Sequence, residues 1–159
     1  MQMKQYLIDT FRHNNSANRL VLESMAELPE KGEAINVFCH IINSQNKWLD
    51  RLEQYPNDTK RDWSLPVYTV VEMGQEIDES TAAWIAFLEG KTDDELLEEV
   101  KFIGFDGGHW TCVLQDIALQ LNYHSIHHAA QIQLLIRQQG LTPKFVDYIG
   151  TKYRKINVE

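Results

Sequence analysis

Apolar positions recur at three- and four-residue steps over most of the chain, and few breaks separate these stretches. From about Lys4 to Leu28, the residues Tyr6, Leu7, Phe11, Leu20, Val21, Met25 and Leu28 keep helical spacing around the polar patch HNNSAN, until LPEKG ends the segment. A second segment, about Glu33 to Tyr55, sets Ala34, Phe38, Ile41, Trp48, Leu49 and Leu52 on one broad apolar arc, the stripe expected of a bundle helix, and YPND closes it. A third, about Thr69 to Leu88, repeats the pattern with Val70, Met73, Ile77, Trp84, Ile85 and Leu88, and Gly90 is a suitable stop. The period then changes. VKFIGFDGGHWTCV carries β-branched and aromatic residues on both sides of Asp106-Gly107, a pair suited to a tight turn, which predicts a short two-stranded insert. Helical spacing returns from about Leu114 to Gln139, apolar nearly all the way round, which predicts the most buried helix; Gly140-Leu-Thr-Pro143 stops it. The tail FVDYIGTKYRKINVE is expected to add one helical turn and then fray. All four prolines fall among other turn formers, so none interrupts a periodic segment. Four long helices and one β insert predict an all-α fold, a four-helix bundle formed as one domain by residues 1–159.

Composition narrows the function classes. A chain of 159 residues with 43% hydrophobic and 24% charged residues can bury a full core, so no disulfide or metal is needed merely to hold it folded. The net charge of -8 repels phosphate backbones and argues against nucleic acid. Cys39 and Cys112 are too few for a disulfide framework and do not form a CxxC pair, which suits a reducing compartment. The first residues, MQMKQYLIDTFRHNN, lack the apolar core of a signal peptide, and no stretch reaches the ~20 apolar residues of a membrane span. A cytoplasmic protein with no membrane partner is the expectation.

The candidate chemistry lies in LNYHSIHHAAQI, within the last long helix. At 100° per residue, His124 and His128 lie about 40° apart and straddle the stripe of Ile117, Leu121 and Leu135, so both face the core. Four-residue spacing lets two imidazoles reach one ion. His127 points about 100° away from His128 and is not expected in the same ligand set. Ser125 stands where a zincin-type HExxH protease would carry its glutamate, so that chemistry is disfavoured. The competing interpretation is a core or interface pair satisfied by hydrogen bonds. A metal site needs at least one more protein ligand, for which His40 in the second helix is the candidate. The helical wheel speaks against it, because His40 falls among Asn36, Ser44 and Lys47 and off the apolar arc; only a polar cavity between helices would reconcile the two.

Taken together, these residues resemble the DinB-like (DinB/YfiT-like) metalloenzyme family. The resemblance rests on His40 with Trp48, Leu49 and Leu52 behind it, on HSIHH (residues 124–128) followed by Gln131, on FIGFDGGHWTCVLQDI, on the closing LLIRQQGLTPKFVDYI, and on the first helix, LIDTFRHNNSANRLVLESMAELP. It implies a four-helix bundle, frequently a homodimer, with a divalent metal ion (nickel, zinc, iron or manganese) on three histidines, which fall here on His40, His124 and His128. Two positions depart from the family pattern. Ala129-Ala130 replaces an Arg-Gly pair, which removes any substrate role of that arginine, and Gln120 replaces a further histidine.

Three neutral imidazoles leave a metal open to water and substrate, as catalytic sites require. Since characterised relatives include thiol-dependent S-transferases and isomerases, the resemblance implies transfer of a low-molecular-weight thiol to a small electrophile. Metal-assisted hydrolysis and a non-catalytic metal- or ligand-binding bundle in stress response are the alternatives. No general base can be named: Gln131 suits packing or support of a ligand, and His127 points away. His13, His109 and His127 carry no assigned chemistry. Cys39 reads as a core or interface residue, Cys112 and His109 as exposed hairpin residues, and DDELLEE (residues 93–99) as a solvated helix start. Trp48, Trp63, Trp84 and Trp110 read as core, with the lining of a pocket as the alternative.

Overall fold

A computed structural model describes residues 2–156. Four long helices dominate it: α1 (Met3–Ala26), α2 (Gly32–Gln54), α3 (Val70–Glu89) and, after two short elements, α5 (Leu114–Gln138). Between α3 and α5 lie the single-turn α4 (Asp93–Leu96) and the strands β1 (Glu99–Ile103) and β2 (His109–Val113). Helices α1 and α2 both pack against α3 and α5, so α1 stands diagonally opposite α2 in the bundle.

Local chemistry sets the boundaries. Thr69 caps α3 through a capping box: its hydroxyl accepts from Glu72 N–H at 3.3 Å, and the Glu72 carboxylate accepts from Thr69 N–H at 2.7 Å. The bond from Thr69 N–H, with a further contribution from the Thr69 side chain, holds the Glu72 carboxyl below its ordinary pKa. Thr92 and Glu95 repeat the device at α4, so the acidic run does start a helix, but one that gives way to β1 within a turn. Gly140 ends α5 in the left-handed region, φ 81°, where Gly140 N–H reaches Arg137 O at 3.0 Å and Leu141 N–H reaches Ile136 O at 3.2 Å. The strands pair antiparallel from Glu99 opposite Val113 to Ile103 opposite His109, leaving a loop of residues 104–108 that is wider than the tight turn expected at Asp106-Gly107. In it Gly107 has φ 76°, and Asp106 accepts from Gly108 N–H at 3.0 Å and from the Trp110 indole N–H at 2.9 Å. The tail forms one 3-10 turn, Tyr148–Thr151; the last three residues, included in the expected fraying, lie outside the described residues.

The core is double. One apolar cluster gathers Leu22, Met25, Phe38, Ile41, Met73 and Ile132, and another gathers Leu7, Phe11, Trp84, Leu88, Ile117 and Leu121. Buried polar side chains hold the level between them. Asn14 donates to Asn122 Oδ1 at 2.8 Å and to its backbone carbonyl at 3.1 Å, Asn18 donates to Ser125 Oγ at 2.9 Å, and Ser80 donates to Gln45 Oε1 at 2.9 Å. The patch HNNSAN is therefore no break in α1; Asn14 and Asn18 are the inward-facing polar tier, each with its amide N–H bonded to α5, while Asn18 Oδ1 is buried without a partner among the described residues. Two expectations need correction. The last helix is not the most buried, since Tyr123, Ile126 and Leu134 on α5 are exposed. The outer half of the α2 arc, Trp48, Leu49 and Leu52, is only partly buried, while the polar Asn43, Ser44, Gln45, Lys47 and Arg51 are buried instead.

Candidate metal centre

Helix α2 supplies His40, and α5 supplies His124 and His128 one turn apart. All three are half-buried, and their ligand atoms lie within 4.8 Å of one another. Nε2 of His124 is the meeting point, 3.0 Å from Nε2 of His40 and 3.0 Å from Nε2 of His128. The rings approach edge to face, with centroids 4.3 to 4.8 Å apart. His40 is on the inward side after all. The face of α2 that it shares with Ser44 and Lys47 is turned into the molecule and covered by the segment between α2 and α3, which is why periodicity places it wrongly.

Two of the three rings have their outer nitrogen fixed. The Trp63 carbonyl accepts from Nδ1–H of His40 at 2.9 Å, and Gln131 Oε1 accepts from Nδ1–H of His128 at 2.7 Å. Each bond places the proton on Nδ1 and a lone pair on Nε2, the atom turned to the centre. Gln131 is oriented in turn, because its amide N–H donates to His127 Nε2 at 3.3 Å. His127 is thus exposed and outside the cluster, as the helical wheel predicts, but it steadies the group that steadies His128.

These residues fit a divalent cation. Two nitrogens each about 2.1 Å from one ion lie roughly 3.0–3.4 Å apart when the angle between them is right-angled to tetrahedral, and both separations from His124 are 3.0 Å. Lone pairs aimed at one another at that distance repel unless a proton or a cation lies between them. Burial, reinforced by His128, His40 and His127, lowers the pKa of His124 to about 4, and burial lowers that of His128 against the opposing bond from Gln131. Both shifts favour the neutral imidazole that binds metal.

A cavity of about 480 Å³ opens beside the cluster, lined by His40, Ser44, Trp48, Trp63, Gln120 and His124. The Ser44 hydroxyl is buried on this wall without a hydrogen-bond partner among the described residues. A second cavity, about 360 Å³, continues past Trp48 and Trp63 to Arg51, Phe102, Phe105 and Trp110. Three of the four tryptophans thus line a pocket, and Trp84 is core, stacked on Phe11 at 5.5 Å with its indole N–H on Gln45 O at 2.8 Å. Cys39 is buried beside His40 but turned away from it, accepting from Tyr68 N–H at 3.3 Å, and burial raises its thiol pKa. His109 is exposed as expected and meets Tyr55 Oη at 3.1 Å, whereas Cys112 is half-buried against the cluster of Leu7, Phe11 and Trp84. His13 packs edge-on against Tyr148 at 5.0 Å, away from the cluster.

Sequence reasoning missed three participants. The Trp63 carbonyl left no signal, since any residue offers one. The buried cations Lys47 and Arg51 were hidden by the rule that charged positions on a helix face water.

No helix is long and apolar enough to cross a membrane among the described residues. Comparison with curated proteins finds no match. A family model described as DinB superfamily matches residues 10–132, a span that takes in all three histidines, and the chain belongs to that family.

Proposed function

We propose that the protein is a divalent-metal-dependent enzyme that transfers a low-molecular-weight thiol to a small electrophile, with His40, His124 and His128 as the metal ligands. One observation carries this reading: three Nε2 atoms converge beside a cavity, and two of the rings already have Nδ1 spoken for by Trp63 O and Gln131 Oε1. A nickel, zinc, iron or manganese ion held there would supply Lewis acidity, bringing the pKa of a thiol or water toward neutrality.

The chain's own residues do the rest. The indoles of Trp48 and Trp63 and the Leu121 side chain wall the cavity and exclude water from one side of the centre. Ser44 offers a hydroxyl to a polar group of the substrate. No carboxylate lines this cavity among the described residues, which favours thiol transfer over amide or ester hydrolysis. A thiol gives up its proton to solvent, and its sulfur then forms the S–C bond while a stable anion leaves or a solvent proton completes an addition, whereas amide or ester hydrolysis needs a base for water and an acid for a poor leaving group.

The test uses protein purified without a histidine tag. Close to one equivalent of a divalent metal is expected by elemental analysis, lost in His124→Ala, with conjugation of a thiol to an electrophile panel detected by mass spectrometry. Absence of metal together with unchanged metal uptake in His124→Ala overturns the site. Stoichiometric metal with no thiol transfer, but with turnover of esters or amides, overturns the thiol chemistry in favour of hydrolysis.

A further inference from the structure

The second cavity is lined by one cation, Arg51, which is only 5% exposed. Lys47, one turn before it on α2 and outside the cavity lining, is 9% exposed. Buried cations are stable when a carboxylate pairs with them, yet no carboxylate lies within ion-pair distance of either among the described residues. Lys47 donates instead to the Arg61 carbonyl. The guanidinium of Arg51 stacks on three rings, 4.8 Å from the centroid of Trp63, 5.0 Å from Trp48 and 5.8 Å from Phe102, and its Nε–H has no hydrogen-bond partner among the described residues.

Nearby acids are otherwise engaged. Asp50 binds Arg61 Nε at 2.6 Å and Thr59 Oγ1 at 3.2 Å, and Asp62 caps Ser64 N–H at 2.7 Å and Leu65 N–H at 3.1 Å. Asp58 acts on Arg51 only from beyond pairing distance. The cavity wall is otherwise apolar and aromatic: Trp48, Trp63, Phe102, Phe105 and Trp110. A cation held by ring faces, unpaired, at the bottom of an aromatic slot is a receptor for a planar anion, since a carboxylate matches the guanidinium fork and rings match a flat body.

The geometry points to a subsite for an aromatic or otherwise flat carboxylate in the slot between Trp48, Trp63 and Phe105, with Arg51 binding the carboxylate. It rests on the metal-enzyme reading for its purpose, because the slot and the histidine cavity share Trp48 and Trp63 as a common wall. Arg51 lies eleven positions after His40 on α2, a rise of about 16 Å along the helix. A substrate or thiol carrying its carboxylate at one end and its reactive group at the other therefore fits the combined groove.

Calorimetric titration of the full-length, metal-free protein tests the subsite apart from the metal chemistry. The probes are 3-phenylpropionate and its neutral isostere 3-phenylpropionamide. The acid is expected to bind at least tenfold more tightly than the amide, with the preference shrinking as salt rises. Arg51→Met should abolish the preference while leaving amide binding in place, and Arg51→Lys should restore part of it. Phe105 is 90% exposed, so Phe105→Ala keeps the fold and should weaken both probes severalfold without changing their ratio. Equal affinities in the wild type, a preference that survives Arg51→Met, or indifference of both probes to Phe105→Ala would each overturn the subsite. A carboxylate preference in a protein that shows no metal uptake would uphold the subsite and sink the enzyme reading; thiol transfer without any preference would do the reverse.

Discussion

Gln131 Oε1 holds the Nδ1–H of His128 at 2.7 Å, and through it one exposed glutamine decides which nitrogen of a candidate ligand is free. Hydrogen-bonded supports of this kind set both the tautomer and the direction of a metal-binding imidazole. Losing them typically costs ten- to a hundredfold in affinity.

Gln131→Ala should therefore weaken metal binding by about 10- to 100-fold while leaving the thermal midpoint of the metal-free protein nearly unchanged. Gln131→Glu, which keeps the acceptor, should retain most of the affinity. Competition against a chromophoric chelator measures both, and equal affinity in wild type and Gln131→Ala would show that His128 needs no support.

The metal-free protein should lose stability as pH falls from about 6.5 toward 4. The pKa of His124 is lowered from 6.5 to about 4 in the folded chain, chiefly by burial, so between those values the unfolded chain takes up the proton that the folded chain refuses. His128 is shifted in the same direction and adds to the same window. Denaturation midpoints measured across this range should flatten in His124→Gln; a slope unchanged by that substitution would remove the cluster as its cause.

Removing metal should lower the denaturation midpoint without unfolding the protein. A ligand present at a hundred times its Kd stabilises by about 2.7 kcal/mol, whereas both apolar clusters are complete without one. Chelation should leave the helical circular dichroism intact and the transition cooperative. Loss of helix at 25 °C on chelation would mean that the ion is structural.

The polar tier should be costly to break. Asn14→Ala strips Asn122 Oδ1 of its buried donor and should destabilise by about 1–3 kcal/mol. Thr69→Ala, which removes the capping box of α3, should cost about 1 kcal/mol. Urea titration separates the two, and a smaller loss for Asn14→Ala than for Thr69→Ala would show that the tier tolerates an orphaned acceptor.

Helix identity was legible in the sequence to within a residue or two, because the 3.6-residue stripe and its caps are local properties: Thr69, Gly90 and Gly140 stand where the periodicity stops. The pairing of His124 with His128 was legible for the same reason, since both lie on one helix. What the stripe misrepresents is any face whose cover comes from elsewhere. His40, Lys47 and Arg51 look solvent-facing on the α2 wheel, yet the segment carrying Trp63 folds over them. Asn14 and Asn18 of α1 read as a flaw in its stripe and turn out to donate to Asn122 and Ser125 on α5. In both cases the partner lies at least twelve residues away, and periodicity carries no information about it. The resemblance to a family supplied His40 where the wheel refused it, and the ring of bonds around the three imidazoles gives the physical reason.

Trp63 faces both ways. Its carbonyl holds His40 at 2.9 Å, and its indole is a wall of each cavity and a stacking face for Arg51. If His40 ligates an ion as proposed, one peptide unit joins that ligand to the shape of the groove. Were a molecule wedged against the indole to shift the carbonyl, groove occupancy and metal affinity would be linked, and by thermodynamic reciprocity each would change the other by the same factor.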